Sequence, residues 1–343
     1  VEDGWYKYII IQRYYLNYMI RTRVTELLGI DYPILQGALS GLGTWEFAAA
    51  VSQTGALGCF TAAVARTPDR LKKQIRLLRN KVGEKPFSVN ISLYMCPHQE
   101  EMFKVLIDEE VPIIETSVYA IPDEWVYSMK DKGIKWLHKV TILKHALHAE
   151  KQGADAIIVI GLEGFGFKHV QQLPTMTSIT WMRRHLKVPI IAGGGIGDPS
   201  TFLSTLCLGA DAAYIGSAFL LTKEAPIPEN MKRKMLNIRP DDPTLIYRIL
   251  APPSRDDFLE VMSLRGKIPM ERWVAMMERV LLKDPEWRDA KPVWEEKFID
   301  VTKYVSFAAS YPDRIMSVKE FIEWLVNGSR QILRELEYSF ERG

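Results

Sequence analysis

The chain has 343 residues, 47% of them hydrophobic and 25% charged, with a formal net charge of +2. That length suits one eightfold β/α barrel, about 250 residues in its usual form, plus an appended segment. The near balance of charge gives no basis for binding nucleic acid or a membrane surface, and no apolar run is long enough to span a bilayer. The three cysteines, Cys59, Cys96 and Cys207, form no CxxC pair, so neither a disulfide framework nor a metal site is indicated. Cys59 and Cys207, in apolar surroundings, read as packed thiols.

Residues 1–18 are rich in Tyr and Ile and lack the basic start and small-residue cleavage site of a signal peptide. They read as an extension with no catalytic role, ahead of a barrel over 19–224. Strand candidates then follow in order: Pro33–Gln36, Leu57–Phe60, Phe87–Ile91, Ile113–Glu115, Lys135–Val140, Ala156–Ile160, Pro189–Ala192 and Ala212–Ile215. Between them lie helical stretches such as Trp45–Gln53, Asp69–Asn80 and Ile142–Gln152, and Gly83, Gly133, Gly153 and Gly209 stand where helices should stop. Gly153-Ala154-Asp155-Ala156 and Gly209-Ala210-Asp211-Ala212 write one helix-turn-strand corner twice. The class is α/β, and the βα alternation predicts a parallel sheet. An open doubly wound sheet alternates in the same way; eight strand candidates favour a closed (β/α)8 TIM barrel. After Thr222 the texture changes. Asp256–Arg265, Pro269–Leu282, Val293–Ser310 and Val318–Glu337 have apolar residues at helical spacing, which predicts a helical cap over 225–343. It buries its own tryptophans and is placed to close the barrel mouth as a lid.

Two glycine-rich corners end the last two strands: Ala192-Gly193-Gly194-Gly195-Ile196 and Tyr214-Ile215-Gly216-Ser217-Ala218-Phe219. Glycine lets backbone N–H groups approach an anion closely, and paired corners after strands seven and eight of a barrel commonly bind phosphate. Ser217–Leu221 offers the short extra helix such sites use. One such corner alone reads equally well as a tight turn. Lys139, near the C-terminal end of strand five, needs a counter-charge or a ligand for its ammonium. His138 faces the other way in a regular strand and reads as structural.

Thr25–Gly37, Ala48–Gly58, Lys85–Ile91 and Val188–Glu224 resemble, in order, the nitronate monooxygenase group, formerly 2-nitropropane dioxygenase, which includes the flavin-dependent enoyl-acyl-carrier-protein reductases. The resemblance spans roughly residues 21–224. It implies an FMN-binding barrel in the cytoplasm that passes electrons from a small-molecule substrate or NAD(P)H, and a homodimer is the expected assembly. It places the FMN phosphate on Gly193, Gly194, Gly195, Gly216 and Ser217. The isoalloxazine lies against Gln36, Gly37, Ala38 and Leu39, with Asn90 at the ring edge and Lys139 as the cation that steadies the reduced ring. An inosine-monophosphate-dehydrogenase-like barrel shares the corners but needs a cysteine after strand six, and Gly161 to Pro174 contains none.

The chain departs from the pattern after strand six. There the family has glycine, any residue, glutamate, a small residue, two glycines and the catalytic histidine; this chain reads Gly161-Leu162-Glu163-Gly164-Phe165-Gly166-Phe167-Lys168-His169. Phe167 stands where the histidine belongs and can neither take nor give a proton. Lys168 and His169 are the candidate substitutes, with Lys139 the third catalytic candidate. Glu163 and Gly164 match the family and are expected to shape the loop beside the flavin. Three functions stay open: a nitronate monooxygenase-type enzyme with altered acid–base chemistry, an enoyl-thioester reductase, and a non-catalytic flavin-binding subunit.

Overall fold

The computed structural model describes residues 20–117, 120–166, 168–292, 295 and 305–341. The expected extension 1–18 and Phe167 lie outside them. Eight parallel strands are present: β1 (Ile34–Gln36), β2 (Gly58–Thr61), β3 (Phe87–Ser92), β4 (Ile113–Ser117), β5 (Lys135–Val140), β6 (Ala156–Ile160), β7 (Ile190–Gly193) and β8 (Ala212–Ile215). They pair in the order β1-β8-β7-β6-β5-β4-β3-β2. Leu57, just before β2, closes the ring. Its N–H donates to Ile34 O at 3.0 Å, and it accepts from Gln36 N at 2.9 Å. Each expected strand is found within one or two residues of its expected ends.

Side chains alternate across this wall. Leu35, Leu57, Ile113, Leu137, Ile158, Ile191 and Ala212 fill the interior, while Ile114, Trp136, Val140, Ile157 and Ile190 face the surrounding helices. The bottom of the barrel is plugged by α1 (Arg23–Leu28), whose Val24 and Leu28 join the interior cluster. A reciprocal cap starts that helix: Thr22 Oγ1 accepts from Thr25 N at 3.2 Å and Thr25 Oγ1 from Thr22 N at 2.8 Å. Arg23 then clamps Asp211 through two bonds of 2.8 and 2.7 Å.

The outer ring follows from amphipathic spacing. After α2 (Trp45–Ser52), α3 (Pro68–Val82) shows the logic most plainly. Thr67 caps it, Pro68 sits where a missing N–H costs nothing, and Leu71, Ile75, Leu78 and Val82 form one buried face. Each such burial contributes about 1.5–3 kcal/mol relative to exposure. Gly83 ends the helix at φ +63°, a conformation that suits glycine. The ring continues with α4 (Gln99–Asp108), α5 (Asp123–Asp131), α6 (Leu143–Gln152), α7 (Thr175–Arg183) and α8 (Pro199–Cys207). The twice-written corner does one job twice: Asp155 accepts from Trp136 N at 2.9 Å and Asp211 from Ile190 N at 2.9 Å, each pinning the preceding strand.

Residues beyond β8 occupy two places. Of the helices that follow, α9 (Glu229–Met235) buries Met235 in the outer-ring cluster, and α10 (Pro243–Leu250) packs Leu245 and Ile249 on Phe307. The next two, α11 (Arg255–Ser263) and α12 (Met270–Leu281), form the cap, in which Val261, Trp273, Met277 and Trp287 make a separate core. The last helix, α13 (Val318–Glu341), instead lies in the outer ring against α8 and α2, with Phe321 and Leu325 buried beside Phe202 and Phe219. It thus supplies the helix that should follow β8, and the cap is inserted between that strand and its helix. Most of the expected helix Val293–Ser310 lies outside the described residues; its described end, Phe307–Ser310, is a 3-10 turn. Cys59 is buried, but Cys207 is exposed, against the expectation of a packed thiol. Cys207 is the last residue of α8, whose buried residues are Phe202, Leu203 and Thr205. Among the described residues no helix is long and apolar enough to cross a membrane.

Candidate active site

The C-terminal ends of the strands carry the chemistry, as barrels of this kind dictate. Alternation turns Asn90, Glu115, Ser117, Lys139 and Tyr214 inward at this end. His138, turned outward, is buried with Nδ1 2.7 Å from Thr116 Oγ1, and burial pushes its pKa down to about 3. It is a structural imidazole, neutral at any ordinary pH. Lys139 is half-buried, its ammonium 6.0 Å from the centre of the Tyr214 ring. Burial lowers its pKa, and Glu115 is the main group opposing that shift. Asn90 is buried; its amide Nδ2 lies 3.4 Å from Glu115 O and 3.3 Å from Ser117 Oγ, while Ser92 Oγ donates to its Oδ1 at 3.3 Å.

The wall from Gln36 to Leu39 stands beside β8. Gly37 N donates to Ile215 O at 2.7 Å, and a side chain on Gly37 would begin 3.0 Å from Gly216 Cα. Two backbones therefore touch here, which only glycine permits. Ala38 N donates to the Tyr214 hydroxyl at 2.7 Å. Gln36 Oε1 accepts from Cys59 N at 3.1 Å, while its buried Nε2 has no partner among the described residues. Such an orphan donor is the kind of group a ligand satisfies.

The two glycine corners differ in what they face. Gly194 and Gly195 have φ values of +109° and +72°. A side chain on Gly194 would start 2.8 Å from Thr175 Oγ1 and 3.0 Å from Gly161 O, and one on Gly193 2.8 Å from Ile160 Cδ1. Those glycines are demanded by protein packing. At Gly216 the same test meets only Leu39 Cδ2 at 3.6 Å, so this corner opens toward the wall. The expected short helix is present as a 3-10 turn over Ser217–Leu221. Ser217 Oγ accepts from Ser306 N at 2.9 Å, so the second 3-10 turn, Phe307–Ser310, is anchored against this corner.

In the loop after β6, Glu163 Oε2 accepts from Thr175 N and lies 2.7 Å from Thr175 Oγ1. Its carboxylate ties the loop to the start of α7, as a loop-shaping group should. Gly164 allows the loop to lie on Ile160, whose Cγ2 would be 2.8 Å from a side chain there. Lys168 is buried, with Nζ donating to Leu162 O and, at 3.4 Å, to Ile249 O of α10. Burial brings its pKa down to about 7, with Lys283 adding to the shift and Glu163 opposing it. His169 is half-buried, its Nδ1 accepting from Gln171 N at 3.0 Å and its ring 5.8 Å from that of His145. Burial lowers the pKa of both imidazoles. His145, Lys168 and His169 floor a cavity of about 210 Å³ roofed by Phe258, Met262, Arg265, Trp273, Met277 and Glu278 of the cap. Glu278 also opposes the lowering of the Lys139 pKa, after Glu115 and Cys59.

Sequence reasoning passed over Glu115, Tyr214 and Ser88, which form a buried cluster: Ser88 Oγ donates to Glu115 Oε1 at 2.6 Å and Tyr214 OH to Oε2 at 2.8 Å. One signal was there to read. Ile113-Ile114-Glu115 puts a charge at an inward position of an otherwise apolar strand, where it requires partners.

Comparison with known proteins identifies the family and the fold. The family model for nitronate monooxygenase matches residues 21–104 and 95–328. Among curated relatives, a nitronate monooxygenase of Paraburkholderia phytofirmans is 29% identical over 255 residues, 61% of this chain and 69% of the relative. A (3aS,4S,5R,7aS)-5-hydroxy-7a-methyl-1-oxo-octahydro-1H-indene-4-carboxyl-CoA dehydrogenase of Mycobacterium tuberculosis is 29% identical over 239 residues, 69% of this chain and 66% of the relative. Among solved structures, FabK from Thermotoga maritima superposes with a TM-score of 0.71 at 29% identity, covering 93% of this chain and 99% of that one. With the family model covering most of the barrel and the cap, the chain belongs to the nitronate monooxygenase family of oxidoreductases.

Proposed function

We propose that the protein is an FMN-dependent oxidoreductase whose acid–base chemistry differs from the family pattern. The observation that carries this reading is an inward lysine, Lys139, beside the Tyr214 ring of β8, the strand that leads into the open glycine corner at Gly216, with the orphan donor of Gln36 on the adjoining strand β1. These residues fit FMN. Gly194, Gly195, Gly216 and Ser217 would hold the phosphate, Gln36 to Leu39 and Asn90 the ring, and Lys139 the charge that reduction creates. When bound, FMN supplies hydride and single-electron chemistry. The chain's own residues bind and orient the reactants, and the cap excludes water. A cytoplasmic homodimer with NAD(P)H as electron donor belongs to the same proposal.

Phe167, at the position of the family histidine, leaves the site without that base. Lys168 carries the acid role, since a lysine held near pH 7 gives and takes protons at neutral pH; His169 is the alternative from the same cavity floor. A neutral nitroalkane needs deprotonation and is a poor substrate on this account, whereas an already ionised nitronate needs no base. The same lysine favours a second reading, reduction of an enoyl thioester, in which a hydride acceptor needs a proton afterwards. Steady-state kinetics with nitroethane, ethylnitronate and an enoyl thioester separate these outcomes. We expect little turnover of nitroethane and a gain of it in Phe167→His. Efficient nitroethane oxidation that is abolished in His169→Ala would show instead that His169 has replaced the missing base. A protein that binds FMN but is reduced by no donor would favour the non-catalytic subunit.

A further inference from the structure

The barrel interior holds a carboxylate that the proposed function leaves unused. Glu115 is fully buried on β4, in register with Asn90 of β3 and Leu137 of β5. Both its oxygens are occupied by hydroxyl donors, Ser88 at 2.6 Å and Tyr214 at 2.8 Å. Burial, the largest influence, raises its pKa, and the Ser88 and Tyr214 donors and the Lys139 charge oppose that shift by favouring the ionised form. A buried anion of this kind needs a cation close by. Lys139 faces the same space from β5, beside the Tyr214 ring. Two other groups act on Lys139, Cys59 and Glu278, both after Glu115 in size. Burial drives the Cys59 thiol of β2 well above its ordinary range, so it stays neutral, and Glu278 belongs to the cap helix α12. Tyr214, its hydroxyl driven up by burial and by Glu115, also stays neutral.

We infer that Glu115 is the resident counter-charge that keeps Lys139 an ammonium, and that Tyr214 joins this pair to the Gln36–Leu39 wall through the Ala38 amide. Glu115 is thus a positioning residue: it touches no reactant and acts through Lys139. Its value to the site is a cation that persists across the working pH range whether or not a ligand is bound. The meaning of that cation for FMN rests on the proposed function, but the charge pairing itself does not.

Lysine reactivity tests it on the purified full-length chain. Trace acetic anhydride is applied from pH 6 to pH 11, and acetylation of each lysine is read by peptide mass spectrometry. Glu115→Gln removes the charge, while the amide oxygen still accepts from Tyr214. It should move the onset of Lys139 acetylation to lower pH by about one to three units, a tenfold or greater gain in reactive amine at fixed pH. Glu115→Asp keeps the charge and should restore the onset of the unmodified protein. Should Glu115→Gln fail to fold, Tyr214→Phe serves, because it strips one donor from the carboxylate and should shift the onset in the same direction by less. Equal onsets in the unmodified chain and the folded charge-weakened variants, or an equal shift in Glu115→Asp, overturn the inference. A purified protein that neither holds FMN nor takes it up when added would overturn the proposed function and leave this result readable.

Discussion

Lys139 and Glu115 show what a sequence discloses about single residues and what it hides. Lys139 was legible because strand alternation assigns its direction and a charge at a strand end is costly without a partner. Glu115 obeys the same rule, but its partners Ser88 and Tyr214 lie 27 and 99 residues away, so only the closed barrel brings them together. Cys207 misled because it stands at the very end of α8, where apolar neighbours in sequence do not ensure burial. If Lys139 is the cation that stabilises the reduced ring, Lys139→Met should lower the FMN reduction potential by roughly 30–60 mV, one to two pKa units of interaction. An unchanged potential in spectroelectrochemical titration would place this side chain outside the flavin's reach. The glycine corners make a paired prediction. Gly216→Leu projects into open space and should remove FMN while the fold melts normally. Gly194→Leu meets Thr175 and Gly161 and should lower the melting temperature itself. Retention of full FMN content by a folded Gly216→Leu protein would contradict the phosphate assignment.

Elements were read well wherever local signals sufficed. The helix α3 has its cap, its proline, its apolar face and its stop glycine within a run of 17 residues, Thr67 to Gly83, and all could be found without tertiary knowledge. By contrast, nothing in the periodicity of Val318–Glu341 says whether it joins the cap or the ring; its contact with α8 decides that, and such contacts are not written in a 3.6-residue repeat. The join between cap and barrel carries a pH signature. Lys168 reaches from the β6 loop to the carbonyl of Ile249 at the end of α10, and Lys283, brought to about pKa 8 by burial, donates to the neighbouring carbonyl of Arg248 at 3.0 Å. An unfolded lysine titrates near 10.4, the folded Lys168 near 7. Between those values the unfolded chain binds the extra proton, so the stability due to this group rises with pH, and below pH 7 its burial penalty is complete. The melting temperature of Lys168→Met minus that of the unmodified protein should therefore change little below pH 7 and fall from pH 7 to pH 9. A difference that stays constant across that range would mean Lys168 is not held near neutrality.

At the scale of the whole molecule, eight short strands close a barrel, α1 plugs its base, and an inserted cap roofs its upper mouth. The number and class of strands were legible because apolar runs recur between helical stretches, and four of them, β1, β6, β7 and β8, end at glycines. The insertion was not, because chain order places the cap before the helix that completes the ring. Two features support a flavin: an inward lysine beside the Tyr214 ring of the strand that leads into the open Gly216 corner, and a cavity lined by His145, Lys168, His169 and cap residues. The most direct test is an anaerobic titration of the purified protein with NADH and with NADPH, followed by its visible spectrum. The account predicts one non-covalently bound FMN per chain, released intact on denaturation and bleached in the folded protein by at least one of the two nucleotides. A colourless protein that takes up no added FMN would contradict it.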